Sequence, residues 1–189
     1  MIIRKASLED SKSIATYLLL AMESIIYTFI GEQDTIKAVD FLLYFTEKEN
    51  NQYSYQNCWI VEDKNQIIAA VNLYDGGKLY KLRKPITDYL TTHFVQNLNI
   101  EDETESGEYY IDSLGVHPQY QGKGIGSKLL LFLIKEYSYQ NQPLGLLVDE
   151  ENPLAKKFYL KLGFKSVGKK KLMGKNMEHL QINPFYKTV

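Results

Sequence analysis

Cysteine is almost absent from this sequence, since Cys58 is the only one among 189 residues. One cysteine can form neither an internal disulfide nor a cysteine-rich metal site, which fits a reducing compartment. An excess of basic charge is absent as well, because 22 lysines and arginines face 23 acidic residues and give a formal net charge of -1. Nucleic acid is therefore not expected as the main partner.

Long apolar runs and linker-like segments are also missing. The strongly apolar stretch 129–134 is far shorter than the roughly 20 residues that a membrane-spanning helix needs, and the N-terminus lacks the apolar segment of a secretory signal. There is no internal repeat and no linker rich in proline, glycine or serine. We therefore expect a cytoplasmic protein without a membrane partner, and the length predicts one domain, because domains average about 150 residues.

The first half of the chain predicts a strand, two helices and a hairpin. Ser7-Leu8-Glu9-Asp10 has the form of a capping box, and apolar residues follow it at helical spacing as far as Gly31. A second helical periodicity covers 36–43. Strands are then expected at 58–61 and 67–74.

The segment that follows has weaker signals. We expect a helix between 85 and 97, and the acidic stretch 101–107 reads as a solvated surface loop. After it, strands at 108–116 and 144–148 flank a helix at 122–139 that is apolar almost all round and is therefore expected to be buried.

The chain then closes with a helix and a hairpin. Asn152 and Pro153 start the helix, and Gly163 lies just past its end. One face of this helix is apolar: Leu154, Phe158 and Leu162. The final hairpin is expected to turn through Gly174. Strands that alternate with helices predict an α/β sheet with an antiparallel pair at its end.

The most specific feature is the glycine-rich segment Gln121-Gly122-Lys123-Gly124-Ile125-Gly126, between a predicted strand and a helix. Glycine lets the backbone approach a ligand, and the free N–H groups and dipole of a helix N-terminus favour anions. The spacing satisfies neither the Walker pattern nor the G-x-G-x-x-G dinucleotide fingerprint. The segment predicts either a phosphate-binding loop of another kind or a tight turn alone.

This segment resembles the signature Q/R-x-x-G-x-G/A of the GCN5-related N-acetyltransferases (GNAT), which opens a helix after a central strand. A second segment, from Asn152 through Phe158-Tyr159 to Gly163-Phe164, is similar to the asparagine, aromatic pair and Gly-Phe of that family's later helix. The two motifs occur in the family's order. They cover about residues 108–165.

The resemblance implies an α/β fold with a mixed, mainly antiparallel sheet, a splayed central parallel strand pair and flanking helices. It implies a single domain of three parts. Residues 1–107 lie on the acceptor side, about 108–165 form the acetyl-CoA-binding core, and 164–184 form the C-terminal hairpin. The segment 78–107 has no clear counterpart in the family.

The cofactor implied by the resemblance is acetyl-CoA, with no metal. Its pyrophosphate is assigned to the backbone of the loop: Gln121, Gly122, Lys123, Gly124, Ile125, Gly126 and Ser127. Its pantetheine arm is assigned to main-chain groups of Leu114, Gly115 and Val116, where Gly115 would tolerate a bulge at the break in the strand ladder. Asn152 matches a position that contacts this arm, and it is equally well read as a helix cap.

The reaction implied by the resemblance is direct attack of a primary amine on the acetyl-CoA thioester. An alkyl amine has a pKa of about 10.4, so its deprotonation at pH 7 costs on the order of 4 to 5 kcal/mol and a carboxylate base would help. Strand alternation puts Glu108, Tyr110, Asp112 and Leu114 on one face. Asp112, nearest the splayed end, is the first candidate base and Glu108 the second; either carboxylate could instead serve only local hydrogen bonds.

Tyr159 matches the family position of the acid that protonates the leaving thiolate, although a helical tyrosine is also explained by packing. A non-catalytic acyl-CoA-binding or sensing module is the alternative function, because it would keep the loop but need neither Asp112 nor Tyr159. The resemblance implies a small-molecule or peptide amine as acceptor. Acidic residues near its expected site, such as Glu23 and Asp34, favour a cation, and a homodimer is an expected assembly because dimers are common in similar proteins.

Overall fold

The computed structural model describes residues 1–94, 98, 100–139 and 142–183, which form a seven-stranded mixed sheet with helices on both faces. The strands are β1 (Ile2–Lys5), β2 (Cys58–Asp63), β3 (Gln66–Asp75), β4 (Tyr109–Val116), β5 (Leu144–Asp149), β6 (Lys165–Leu172) and β7 (Lys175–Ile182). The helices are α1 (Ser11–Ile30), α2 (Thr35–Thr46), α3 (Leu79–His93), α4 (Ile125–Glu136) and α5 (Pro153–Lys161). The predicted fold class is confirmed.

The strand order puts the parallel pair near the centre of the sheet. The order is β1-β2-β3-β4-β5-β7-β6, and the neighbours are antiparallel except for β4 and β5. Within the described strands, β4 and β5 pair only through Tyr109 with Leu144 and Tyr110 with Gly145, and then they separate. The splayed central pair that the resemblance implies is therefore present.

Helix α1 begins and ends at the predicted signals. Ser7 and Asp10 form the capping box, and Gly31 ends the helix with a left-handed φ of 74°. Leu8–Ile30 is long and apolar enough to cross a membrane, by length and composition alone. The sequence prediction rests on the shorter stretch 129–134 and misses this helix. Half of this segment is buried within the protein. A kink at Met22, where φ is -133°, interrupts the helix next to the separated strands.

Among the described residues, two large hydrophobic clusters hold the sheet between its helices, and a smaller third one contains Tyr74, Leu79 and Tyr110. On one face, Leu18 of α1, Phe45 of α2 and Ile86 of α3 pack together with the sheet. On the other face, Leu129 of α4 and the fully buried Phe164 pack against β2 to β5 and β7. The burial of these side chains on both faces is the main force that fixes the central strands in place.

Helix α3 differs from the prediction of a helix between 85 and 97. It begins at Leu79 and runs through Pro85, whose missing N–H removes one helical hydrogen bond without ending the helix. Its last residue is His93, and residues 95–97 lie outside the described part of the chain.

Helix α4 begins at Ile125 rather than at Gly122, because Gly122 and Gly124 adopt left-handed φ angles of 73° and 76°. It is also less buried than predicted, since Leu131 is 53% exposed. Leu154 of α5 is 80% exposed, so it does not share the packed face expected for it. Each of these two helices carries more apolar residues than its contact with the sheet buries.

The 101–107 stretch is only in part the solvated loop that its acidic composition predicted, because Asp102 and residues 105–107 are exposed and two residues between them are buried. Glu103 and Thr104 are 3% and 2% exposed. Glu103 is buried because Arg83 of α3 pairs with its carboxylate, and the Thr104 hydroxyl donates a hydrogen bond of 2.6 Å to Glu108. Charge pairing inside the protein therefore overrides the usual rule that acidic segments face water.

Candidate active site

A cleft of about 500 Å³ lies where β4 and β5 separate. Its walls come from α1, the two strands, the start of α5 and the turn between β6 and β7. Among the predicted site residues it is lined by Asp112, Leu114, Asn152 and Tyr159. Elements distant in sequence thus meet at the break in the sheet.

A β-bulge at Asp112 sets which side chains face this cleft. β3 pairs Asn72 with Ser113 and Leu73 with Ile111, which leaves Asp112 as the extra residue on β4. A bulge reverses the alternation of side chains beyond it. Leu114 therefore packs on the α4 face of the sheet, whereas Asp112 contacts groups on the α1 face. The expectation that both share one face is wrong for this reason.

Gly115 serves close packing rather than a bulge. A Cβ atom at this position would lie 1.9 Å from the carbonyl oxygen of Tyr17 in α1, so only glycine lets the helix approach β4 so closely. The β-bulge of β4 falls three residues earlier, at Asp112, in the ladder with β3, whereas Gly115 lies in the part of β4 that has separated from β5.

The glycine-rich loop borders a second cleft of about 400 Å³, which adjoins the first at Leu114. It is lined by the loop residues Gln121, Gly122, Gly124, Ile125, Gly126 and Ser127, together with Leu114, Val116, Tyr120 and Phe158. The two clefts meet along β4, so the loop and Asp112 lie at different points of one groove.

The loop backbone is free to bind an anion. A Cβ atom at Gly122 or Gly124 would meet no atom within 4 Å, so the backbone there faces open space. The N–H of Lys128 bonds to the carbonyl of Gly124, and the three N–H groups before it, at 125–127, belong to the first turn, which has no helical acceptor. These features fit the diphosphate of coenzyme A.

The side chains of the loop hold its shape. The Gln121 amide donates to the carbonyl of Val116 at 3.0 Å, which ties the loop to the end of β4. The Lys123 ammonium lies 5.0 Å from the centre of the Tyr120 ring. The first residue of the signature thus acts through its side chain as a brace for the loop backbone.

Asp112 belongs to a buried network of side chains. The Gln52 amide nitrogen donates to Asp112 Oδ1 at 3.1 Å and to Glu103 Oε1 at 2.7 Å. The Tyr74 hydroxyl donates to the same Glu103 oxygen at 2.8 Å, and Arg83 pairs with the other Glu103 oxygen. Asp112 Oδ1 is therefore held by Gln52 and, at 3.4 Å, by the Tyr74 hydroxyl, and Glu103 and Arg83 complete the network behind them.

The other Asp112 oxygen, Oδ2, is buried and has no hydrogen-bond partner among the described residues. Burial raises the pKa of Asp112 to about 6, against the smaller lowering effects of the Gln52 hydrogen bond and the Arg83 charge. A carboxylate with this pKa is ionised at pH 7 and still a useful proton acceptor.

Glu108, the second candidate base, lies at the opposite, paired end of β4. Its carboxylate contacts Thr104, His179 Nε2 at 2.8 Å and Gln181 Nε2 at 2.7 Å, and it does not line either cleft. Burial alone would raise the pKa of Glu108, but these hydrogen bonds outweigh burial and hold the pKa below its ordinary value. Its surroundings are those of a structural carboxylate.

Helix α5 carries the remaining two predicted residues. The Asn152 side chain accepts a hydrogen bond of 3.0 Å from the N–H of Ala155, so it caps the helix and also lines the larger cleft. Burial raises the pKa of Tyr159, which keeps its hydroxyl protonated at neutral pH. Its ring packs on Phe164, with 5.9 Å between centroids.

Sequence reasoning missed the network around Asp112. Gln52, Tyr74, Arg83 and Glu103 come from segments that carried no motif. The one available signal is the arginine itself, because the chain has 20 lysines and two arginines. Arginine is preferred over lysine where a buried carboxylate is held from two directions, and Arg83 contacts both Asp102 and Glu103.

Comparisons with known proteins agree with this geometry. The family model of the GNAT acetyltransferases matches residues 21–164. The chain is similar to an N-acetyltransferase from Staphylococcus aureus Mu50, at 23% identity and a TM-score of 0.84, over 96% of this chain and 100% of that one. It is also similar to a protein described as an acetyltransferase, at 30% identity and a TM-score of 0.78, over 96% and 98% of the two chains.

A third similar structure is PaiA N-acetyltransferase from Thermoplasma acidophilum in complex with coenzyme A, at 16% identity and a TM-score of 0.56, over 96% of this chain and 98% of that one. Comparison with curated sequences gives no match. The family match covers most of the chain, and the fold, splay and loop agree with it. The chain belongs to the GNAT acetyltransferase family.

Proposed function

We propose that this protein is an acetyl-CoA-dependent N-acyltransferase that moves an acetyl group to a primary amine. The observation that carries the proposal is the groove along β4, which joins an anion-binding loop at one end to Asp112 and Tyr159 in the larger cleft. A cofactor site next to a buried base and a protonated phenol is the arrangement that amine acetylation needs.

The residues that would hold the cofactor are the loop and the separated strand. N–H groups at 125–127 and the glycine backbone at 122 and 124 receive the diphosphate, and main-chain groups near Leu114 receive the pantetheine arm. When bound, acetyl-CoA supplies an acetyl group as a thioester, which an uncharged amine attacks at the carbonyl carbon. Main-chain groups of Gly115 and Val116 are assigned to the same arm; Gly115 also packs closely on α1, because a Cβ there would touch Tyr17.

Asp112 prepares the amine. Its carboxylate, which lines the larger cleft, accepts a proton from the ammonium form of the acceptor, directly or through water, which leaves the nitrogen lone pair free for attack. As the new N–C bond forms, the C–S bond breaks, and the nitrogen loses a second proton. The balance is one acetamide, one thiol and one proton released to water from each ammonium ion and thioester consumed.

Tyr159 serves the leaving group. Its hydroxyl holds a proton in the cleft, because burial keeps the pKa of this phenol above its ordinary value. A thiol has a pKa near 8.5, so the phenol is the weaker acid and full proton transfer to the thiolate is uphill; the hydroxyl stabilises the departing thiolate by a hydrogen bond, and the proton that the amine loses completes the thiol.

Thermal unfolding in the presence of ligands tests the cofactor. Acetyl-CoA and CoA at about 100 times their dissociation constants are expected to add roughly 2.7 kcal/mol of stability, whereas ATP and NAD at the same concentrations add none. Equal or greater stabilisation by ATP or NAD would contradict the proposal.

Release of free thiol in the presence of amines then tests the reaction. Cys58 is fully buried and burial raises its pKa, so it adds little to the thiol signal. Stabilisation by CoA without any thiol release across a panel of primary amines would favour the non-catalytic acyl-CoA-binding module instead.

A further inference from the structure

A small side pocket opens beside Asp112, on the acceptor side of the larger cleft. Its volume is about 30 Å³, and Asp112, Met22 and Met173 line both the pocket and the cleft. The pocket therefore extends the cleft past Asp112, away from the glycine-rich loop.

The far wall of this pocket comes from the 78–107 segment. Ile86 of α3 and Ile100 line it together with Phe29 of α1. These three side chains are apolar, so this part of the lining suits an alkyl group. The 78–107 segment, which has no clear counterpart in the family that the sequence resembles, therefore contributes to the site.

The polar side of the pocket carries one unbalanced charge. Arg83 is already paired with Asp102 and Glu103, and Gln52 is shared between Glu103 and Asp112. Asp112 has no cationic partner in the described part of the chain, and its Oδ2 has no hydrogen-bond partner there. A cation beside Asp112 would balance its charge, whereas a carboxylate placed there would be repelled.

The size of the pocket limits what it can hold. One water needs at least about 10–15 Å³ of such space, and a cavity that binds benzene measures about 150 Å³. A volume of about 30 Å³ therefore accommodates two or three linear carbon atoms and excludes a ring.

We propose that this side pocket binds the alkyl group of the acceptor, so that the acceptor is a short, unbranched aliphatic primary amine without a carboxylate on the amine-bearing carbon. The inference rests on the proposed function, because it places the amine at Asp112. In this arrangement the ammonium group lies beside the Asp112 carboxylate and the carbon chain points toward Ile86 and Ile100.

A matched acceptor panel tests the chemistry. The values of kcat/KM for thiol release are measured with ethylamine, propylamine, hexylamine, 2-phenylethylamine and 2-aminobutyrate, which is propylamine with an added carboxylate. Ethylamine and propylamine are expected to exceed the other three by at least about tenfold, since a lost buried contact or an unpaired charge costs a few kcal/mol. Equal use of hexylamine or 2-aminobutyrate would overturn the inference.

Two variants test the position of the alkyl group. Ile100→Ala and Ile86→Val each enlarge the pocket from a different part of its wall, and both are expected to move the preference toward longer amines, by about fourfold in kcat/KM per added methylene. Ile36→Ala is the control, because Ile36 is 75% exposed on α2. A chain-length preference that is the same in all three variants and in the wild type would contradict the assignment.

A binding measurement without cofactor separates the two proposals. Propylamine is expected to raise the melting temperature of the wild type more than 2-aminobutyrate at equal concentration, and the difference is expected to vanish in Asp112→Asn. Acetylation of other amines without these effects would overturn the pocket inference alone. Absence of both CoA stabilisation and acetylation would overturn the proposed function and this inference with it.

Discussion

The two ends of the cleft are built in different ways. At the proposed cofactor end, the groups that would bind are backbone N–H groups from one continuous segment, 121–127, and glycine keeps the space beside them open. At the acceptor end, the groups are side chains from segments far apart in the chain, and they are gathered around Asp112. A backbone site depends on local sequence, whereas a side-chain site depends on the whole fold.

The two ends also differ in charge. The loop offers the positive end of a helix dipole to an anion. The acceptor end keeps one buried carboxylate without a paired cation among the described residues. Substitutions at the cofactor end are therefore expected to change CoA affinity, and substitutions at the acceptor end are expected to change turnover and its pH dependence.

The largest effect is expected from Asp112→Asn, which keeps the shape of the side chain and removes the base. The value of kcat/KM for an amine falls by about a hundredfold or more, because general base catalysis is worth that much, while the Kd for CoA stays within about twofold. Asp88→Asn is the control, since Asp88 is exposed in an ion pair with Lys84. A weaker CoA affinity with unchanged turnover in Asp112→Asn would contradict the assignment of Asp112 to the acceptor end.

Tyr159→Phe is expected to have the next largest effect. It removes the hydrogen-bond donor for the thiolate and keeps the ring packed on Phe164, so kcat falls by about ten- to a hundredfold with little change in CoA affinity. Tyr44→Phe is a suitable control on an exposed part of α2, because Tyr44 is 38% exposed. Full activity of Tyr159→Phe would leave this tyrosine with a packing role alone.

Gly124→Ala probes the cofactor end. It is expected to weaken CoA binding by about tenfold and to lower stability by about 1 kcal/mol, because alanine is strained at a left-handed φ of 76°. Gly174→Ala is the matched control, with a φ of 78° in the turn between β6 and β7 and similarly open surroundings. Equal loss of CoA affinity in both variants, measured by titration calorimetry, would mean that strain alone explains the effect.

The smallest effect is expected from Gln52→Leu, through the pH dependence. The Gln52 hydrogen bond lowers the pKa of Asp112, so its loss raises that pKa above about 6. The protonated form of Asp112 then persists to higher pH, so the acidic limb of the pH profile of kcat/KM moves to higher pH. Gln56→Leu is the exposed control on the same segment. A shift to lower pH, by kinetics or by NMR titration of the carboxyl group, would contradict the network.

The contrast between the ends explains what the sequence could predict. The splayed sheet, the capping box before α1 and the hairpin through Gly174 follow from local signals and from the family resemblance. The bulge at Asp112 could not be predicted from the sequence, because it depends on the register of β3 against β4. Leu114 was placed on the wrong face for that reason.

Predictions from local composition are wrong where tertiary contacts change the burial or the secondary structure of a segment. Within the acidic stretch 101–107, Glu103 is held inside by Arg83 while Asp102 and residues 105–107 stay exposed. Helix α3 starts before Pro85 because packing of Ile86 and Leu90 outweighs one lost hydrogen bond. The roles of Gln52 and Glu103 depend on distances between segments more than 50 residues apart, as in the bond from Gln52 to Glu103. No local pattern records such distances.

Hydrogen exchange of backbone amides with and without CoA tests the division between the two ends most directly. The account predicts slower exchange at 122–127 and along β4 near Leu114 when CoA is present, with little change around Gln52 and Glu103. Protection confined to the Gln52 and Glu103 region, with the loop amides unaffected, would contradict it.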